Sequence, residues 1–172
     1  MATTTQPTTE REHFLASFER EYQTTLRVLK AFPPAQGQLK FSDRSHTANQ
    51  IAWSLVMDQM IVEPVLFAPK LEPHEMPVPN DFKAILSQLE SAHADATAKL
   101  RKLDDKLFNS TLNLQVGPKN AMADVRRADA LWMFLNDTIH HRGQFSVYLR
   151  AAGGKVPSIY GPSGDTEKPA TA

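Results

Sequence analysis

The sequence predicts an all-α protein, a four-helix bundle, on three observations. The twelve prolines leave four long proline-free stretches, residues 8–32, 35–63, 80–117 and 119–156. Proline removes a helix donor and clashes with the preceding turn, so long helices are confined to such stretches. Each stretch carries apolar residues spaced three and four apart, which makes one apolar face on a helix. Alternation typical of a strand is weak and confined to residues 111–116. Four amphipathic helices with little strand bury their stripes best against one another, as a bundle. At 172 residues the chain has the length of a single domain. The expected layout is a disordered tail over 1–7, the bundle over 8–163, and a disordered tail over 164–172, where small polar residues and proline dominate.

The first helix is expected over 9–31. Thr9 and Glu12 have the spacing of a capping box, and Phe14, Phe18, Tyr22, Leu26 and Leu29 form its stripe. Residues 41–46 read as a loop. Thr47 with Gln50 is a second capping box, followed by Ile51, Leu55, Asp58 and Val62 on one face, until Pro64 ends or kinks the helix. Five prolines between 64 and 79 mark a long ordered connection. The third helix is expected over 80–103, with Asn80 as N-cap and Phe82, Leu86, Leu89, His93, Ala96 and Leu100 inward. The fourth is expected over 124–152, with Leu131, Phe134, Asp137, His141, Phe145 and Tyr148 inward and Gly153-Gly154 as its stop.

Composition excludes several functions. Nineteen basic residues balance nineteen acidic ones, so the net charge is zero and no field draws the chain to nucleic acid or an anionic membrane. Arg126-Arg127 and Arg101-Lys102 are too sparse for a nucleic-acid patch. There is no cysteine, hence no disulfide, thiolate nucleophile or cysteine-held metal. No apolar run is long enough to span a bilayer, and the N-terminal residues lack the apolar core of a signal peptide. The expected location is the cytoplasm.

Ligand sites in bundles are made by side chains projecting inward, so polar residues on apolar stripes are the candidates. Asp137 and His141 lie one turn apart on the fourth helix. A carboxylate and an imidazole at that spacing can hold one divalent ion, or can form a buried hydrogen bond in which the carboxylate orients the ring. Asp58 interrupts the second helix, with Ser54 one turn before it. It can be a third ligand, a partner of a core-edge arginine such as Arg142, or a rim residue reaching water. A lone histidine such as His93 is ordinarily a satisfied core residue. His140 points about 100° away from His141. His13, His46 and His74 show no partner pattern, and Trp53 and Trp132 read as core or interface aromatics.

Beyond these patterns, the run Asp137-Thr138-Ile139-His140-His141-Arg142-Gly143-Gln144 with Phe145, Tyr148 and Arg150 resembles the last-helix signature of the DinB-like (DNA-damage-inducible) family. So does the later Pro157-Ser158-Ile159-Tyr160-Gly161 segment, and residues 47–56 resemble the family's second-helix signature. The resemblance covers residues 10–165. It implies an up-down-down-up bundle, often a homodimer, that commonly binds a divalent metal through one histidine of the second helix and two of the fourth. It also implies, in several relatives, a metal-activated low-molecular-weight thiol. Only His141 matches that triad; the other positions fall at Asp137 and Ser54. Two readings follow. Asp58, Asp137 and His141 form a harder ligand set for nickel, zinc, iron or manganese, or the site is degenerate and they form a polar cluster. Arg142 either pairs with an acid of another helix or meets an anionic substrate, and Gly143 allows close helix approach.

The expected function is a divalent-metal-dependent enzyme acting on a small molecule, a thiol-dependent transferase or related hydrolase. Asp137, His141 and Asp58 are the expected ligands, and Asp58 and Arg142 the catalytic candidates. Any thiol must come from outside the chain. The competing expectation is a non-catalytic dimeric bundle that binds a small molecule or protein. Nucleic acid and membrane are not expected partners.

Overall fold

The computed structural model describes residues 9–72, 76–115 and 121–166. Its four long helices are α1 (Glu10–Lys30), α2 (Ala48–Met60), α4 (Phe82–Lys102) and α6 (Arg127–Ala151), joined by the short helices α3 (Val62–Phe67) and α5 (Asp105–Phe108). They form an up-down-down-up four-helix bundle. In it α6 packs against both α1 and α2, and α4 closes the other side.

Both expected capping boxes form. Thr9 Oγ1 accepts from the Glu12 amide and Glu12 Oε2 from the Thr9 amide, each at 3.2 Å. Thr47 and Gln50 repeat the pattern at 3.2 and 2.7 Å. Pro64 acts as expected: it has no N–H for the carbonyl of Met60, where α2 ends, and its ring crowds that turn. The chain bends at Ile61 and resumes as α3. Asp81, not Asn80, caps α4, its carboxylate accepting from the Lys83 amide at 3.0 Å. Gly153, at φ 83°, ends α6 in the left-handed region that glycine tolerates.

The fourth helix begins three residues later than the sequence suggests. Residues Met122–Arg126 are instead strand β3, antiparallel to β2 (Thr111–Gln115), which pairs in parallel with β1 (Lys70–Leu71). Five residues with only a half-buried side are too short to show their period. The sheet is fixed from outside by two arginines. Arg126 pairs with Glu10 and Asp129 at 2.8 and 2.6 Å. Buried Arg127 donates to the carbonyls of Val65 and Ala68 (2.9 Å for the latter), meeting the free acceptors at the C-terminal end of α3.

The core has two apolar halves. One gathers Leu29, Phe32, Leu55, Phe82, Leu89, Phe145 and Leu149. The other gathers Phe14, Phe18, Leu66, Phe108, Leu112 and Leu131 near the sheet. Between them lies a polar waist: Glu21 of α1, Asp58 and Gln59 of α2, His93 of α4, and Thr138 and Arg142 of α6 are all buried.

On α6 the buried stripe runs Leu131, Leu135, Thr138, Arg142, Phe145. The expected stripe through Phe134, Asp137 and His141 is its half-exposed margin. Arg142, with both apolar stem and charge inside, carries the core side of the helix. Gly143 allows no close approach, because a Cβ there meets nothing within 4 Å. It lies exposed in mid-helix, so Gly143→Ala is expected to raise stability by about 1 kcal/mol in urea denaturation. The expected tail from 164 is tied down through Thr166. Asp165 accepts from Arg150 at 2.7 Å and from the Val156 amide at 3.1 Å, and Thr166 bonds Ser163. Residues 1–7, Val116, His74 and 167–172 lie outside the described residues.

Candidate metal centre

Asp58 comes from the last turn of α2, and Asp137 and His141 from adjacent turns of α6. Their ligand atoms lie within 4.8 Å of one another, the one group of this kind among the described residues. His141 Nδ1 is 3.4 Å from Asp137 Oδ2 and 4.0 Å from Asp58 Oδ2. It is buried and has no hydrogen-bond partner. Asp58 is 6% exposed, while the side chains of His141 and Asp137 are 21% and 46% exposed. The site is therefore a flank of the bundle: Asp58 forms its floor and Asp137 its rim. A surface groove of about 480 Å³, lined by Met133, Phe134, Asn136, Asp137 and His140, meets it at Asp137.

Electrostatics couple the three residues. Burial pushes the Asp58 carboxyl up to about 6, with Asp137 adding repulsion, against the opposing pull of His141 and Thr138. The Asp58 carboxylate above all, and Asp137, hold the His141 imidazole above its ordinary pKa despite burial. Thr138 is hidden from sequence reading because it sits one position past Asp137. Its hydroxyl donates to Asp58 Oδ2 at 3.0 Å. The signal that could find it is the i−4 spacing from Arg142 on the true buried stripe.

The donor set fits a divalent ion. Two atoms each about 2.1 Å from one ion stand at most about 4.2 Å apart, and both measured separations from Nδ1 fall below that. A buried imidazole nitrogen that faces two carboxylates at ion-pair distance, with no well-formed hydrogen bond to either, is what a cation would complete.

The remaining candidates lie elsewhere. Ser54 donates back to the Gln50 carbonyl of its own helix at 3.3 Å. Arg142 is only 1% exposed and lies inside the bundle, not on the wall of the groove, in keeping with the expectation that it pairs with an acid of another helix. It pairs with Glu21 of α1, Nη1 to Oε2 at 2.8 Å, and Nη2 meets the Tyr160 hydroxyl at 2.6 Å. Tyr160 in turn donates to Glu21 at 2.7 Å. Burial alone would raise the Glu21 pKa, but the bonds from Tyr160 and Arg142 bring it below the usual carboxylate range. The sequence does not single out Glu21, and it marks Tyr160 only as part of the segment 157–161, without its role as a clasp.

His93 is a satisfied core residue. It lies parallel to the Tyr22 ring at 3.4 Å and contacts Gln59, Glu19 and Thr97 through its nitrogens. Burial lowers its pKa, against the pull of Glu19. His140 lines the groove and bonds Gln144 at 2.9 Å. His13 packs on Trp132, and the His46 carbonyl accepts from Tyr148. Trp53 is core.

Fold and site together define a helical bundle with a possible metal-binding group on its flank. The chain belongs to the DinB family, matched over residues 1–169. It is 29% identical over 156 residues to the uncharacterized protein YrdA of Bacillus subtilis strain 168, covering 88% of this chain and 89% of that one. A DinB-like protein of Bacillus cereus has the same fold, with TM-score 0.70, 24% identity, and coverage of 87% of this chain and 97% of that one. YfiT of Bacillus subtilis, described as a probable metal-dependent hydrolase with an unusual four-helix bundle topology, matches with TM-score 0.65 and 16% identity. That match covers 89% of this chain and 93% of YfiT. Among the described residues no helix is long and apolar enough to cross a membrane.

Proposed function

We propose that the chain is a divalent-metal-dependent enzyme acting on a small molecule, with Asp58, Asp137 and His141 as its ligands. The observation that carries this reading is the buried His141 Nδ1, which faces carboxylates from two different helices without a well-formed hydrogen bond to either. The description of YfiT as metal-dependent supports it. Two carboxylates and one imidazole form a hard set suited to manganese, iron, nickel or zinc.

An ion there would supply Lewis acidity, making a nucleophile available at neutral pH from water, for hydrolysis, or from a low-molecular-weight thiol. The cysteine-free chain can provide no thiol itself. The chain's own part is positional and protonic. Thr138 holds the Asp58 carboxylate in place. In the metal-free chain Asp58, with its pKa raised to about 6, takes up and releases a proton near neutrality, so metal binding there is coupled to proton release. The groove beside Asp137 admits the substrate, its apolar wall formed by Met133 and Phe134.

Metal analysis of untagged protein tests this reading. One manganese, iron, nickel or zinc ion per chain is expected, falling at least about tenfold in His141→Ala and Asp137→Ala. A wild-type content below about 0.1 ion per chain, unchanged on adding each metal, would overturn it. That result would instead favour a non-catalytic bundle that binds a small molecule or a partner. The observation behind this second reading is Ser54, whose hydroxyl turns away into its own helix.

A further inference from the structure

We propose that Thr138 is the positioning residue of the metal centre: it holds the Asp58 carboxylate with Oδ2 turned toward His141, where an ion would be bound. This rests on the metal-dependent reading above. A threonine within a helix ordinarily gives its hydroxyl proton to the carbonyl one turn back. Thr138 gives it across the helix interface, to Asp58 Oδ2 at 3.0 Å. Both residues are buried, so water cannot take the place of that bond.

The oxygen that Thr138 holds is also the one that faces His141 Nδ1. The bond holds the carboxylate in place with that oxygen toward the cluster, where an ion shared with Asp137 and His141 would meet it. Helix α6 thus contributes three functional contacts: Asp137 and His141 as ligands, and Thr138 as the brace for the ligand from α2.

Metal-free wild type, Thr138→Val and Thr138→Ser are to be titrated with manganese and zinc by calorimetry, with melting of each metal-free form recorded alongside. Thr138→Val keeps the shape and loses the hydroxyl; Thr138→Ser keeps the hydroxyl and loses the methyl group. The expected result is a loss of about 10- to 100-fold in manganese and zinc affinity for Thr138→Val. Thr138→Ser is expected within about threefold of wild type even if its melting temperature falls, which a purely structural role would not produce. Should Thr138→Val not fold, Thr138→Ala is expected to show the same loss.

Binding by the hydroxyl-free variants within about twofold of wild type, or a loss in Thr138→Ser equal to that in Thr138→Val, overturns the proposal while leaving metal dependence standing. A wild type that takes up neither ion overturns the metal-dependent reading and this inference together.

Discussion

Asp58→Asn is expected to make the metal-free protein more stable at pH 7, by about 3 kcal/mol, while abolishing metal uptake. The carboxyl is buried and its pKa stands at about 6 rather than 3.8. A tenfold change in proton affinity corresponds to about 1.4 kcal/mol between the two protonation states. The folded state holds this proton more tightly than the unfolded state does. Stability from Asp58 is therefore fully present below pH 3.8 and is lost as pH rises through about 6. Asparagine fills the same space, can accept from Thr138 through its carbonyl, and never ionises. The stability difference between variant and wild type should be small near pH 3.8, grow up to about pH 6, and stay level above it. Urea denaturation across that range checks it, and a difference independent of pH would refute the electrostatic cause. Such a gain on removing a residue identifies a group kept for chemistry at the expense of stability.

The second large effect runs the other way. Arg142→Ala is expected to cost about 3–5 kcal/mol, because it leaves Glu21 charged and buried with its main partner gone. Glu21 and Arg142 are both nearly inaccessible, and Arg142 Nη1 also reaches the Glu21 carbonyl at 3.3 Å. Replacing the pair together, as Glu21→Leu with Arg142→Met, should restore most of the loss, since apolar groups of similar volume leave no lone charge. Tyr160 is 69% exposed, so its hydroxyl can turn to water in that double variant. The Glu21 contribution in wild type is present above the ordinary carboxylate pKa and lost as pH falls through the lowered one. A double variant no more stable than Arg142→Ala would show that the effect is lost packing and not a stranded charge. Metal content is expected to be unchanged in folded Arg142→Ala, separating the clasp from the metal centre.

The parts of this molecule legible in sequence are those with strong local chemistry. Thr9 and Thr47 announce helix starts because their side chains bond their own backbone, and Pro64 announces a break because it lacks a donor. Asp58 and His141 stand out as polar residues beside apolar ones, and the structure brings them together. What stays hidden depends on the partner across an interface. The inward face of α6 is misassigned from sequence because Arg142 reads as a core-edge residue, yet it is fully buried once Glu21 is supplied by α1. That misassignment moves Asp137 inward and conceals Thr138. Strand β3 escapes notice because its pairing partner, β2, and not its own residues, makes it a strand.

The polar waist has a further consequence for how the helices find their places. Apolar side chains are interchangeable partners. A slip of one helix by one turn, about 5.4 Å, would still set apolar residues against apolar residues in both halves of the core. The same slip would carry Arg142 past Glu21, Thr138 past Asp58 and His93 past Gln59, leaving each donor or acceptor stranded in a dry interior. The waist is therefore a registration mark. It fixes which turn of each helix faces which, and it places the one flank where ligands from α2 and α6 can meet.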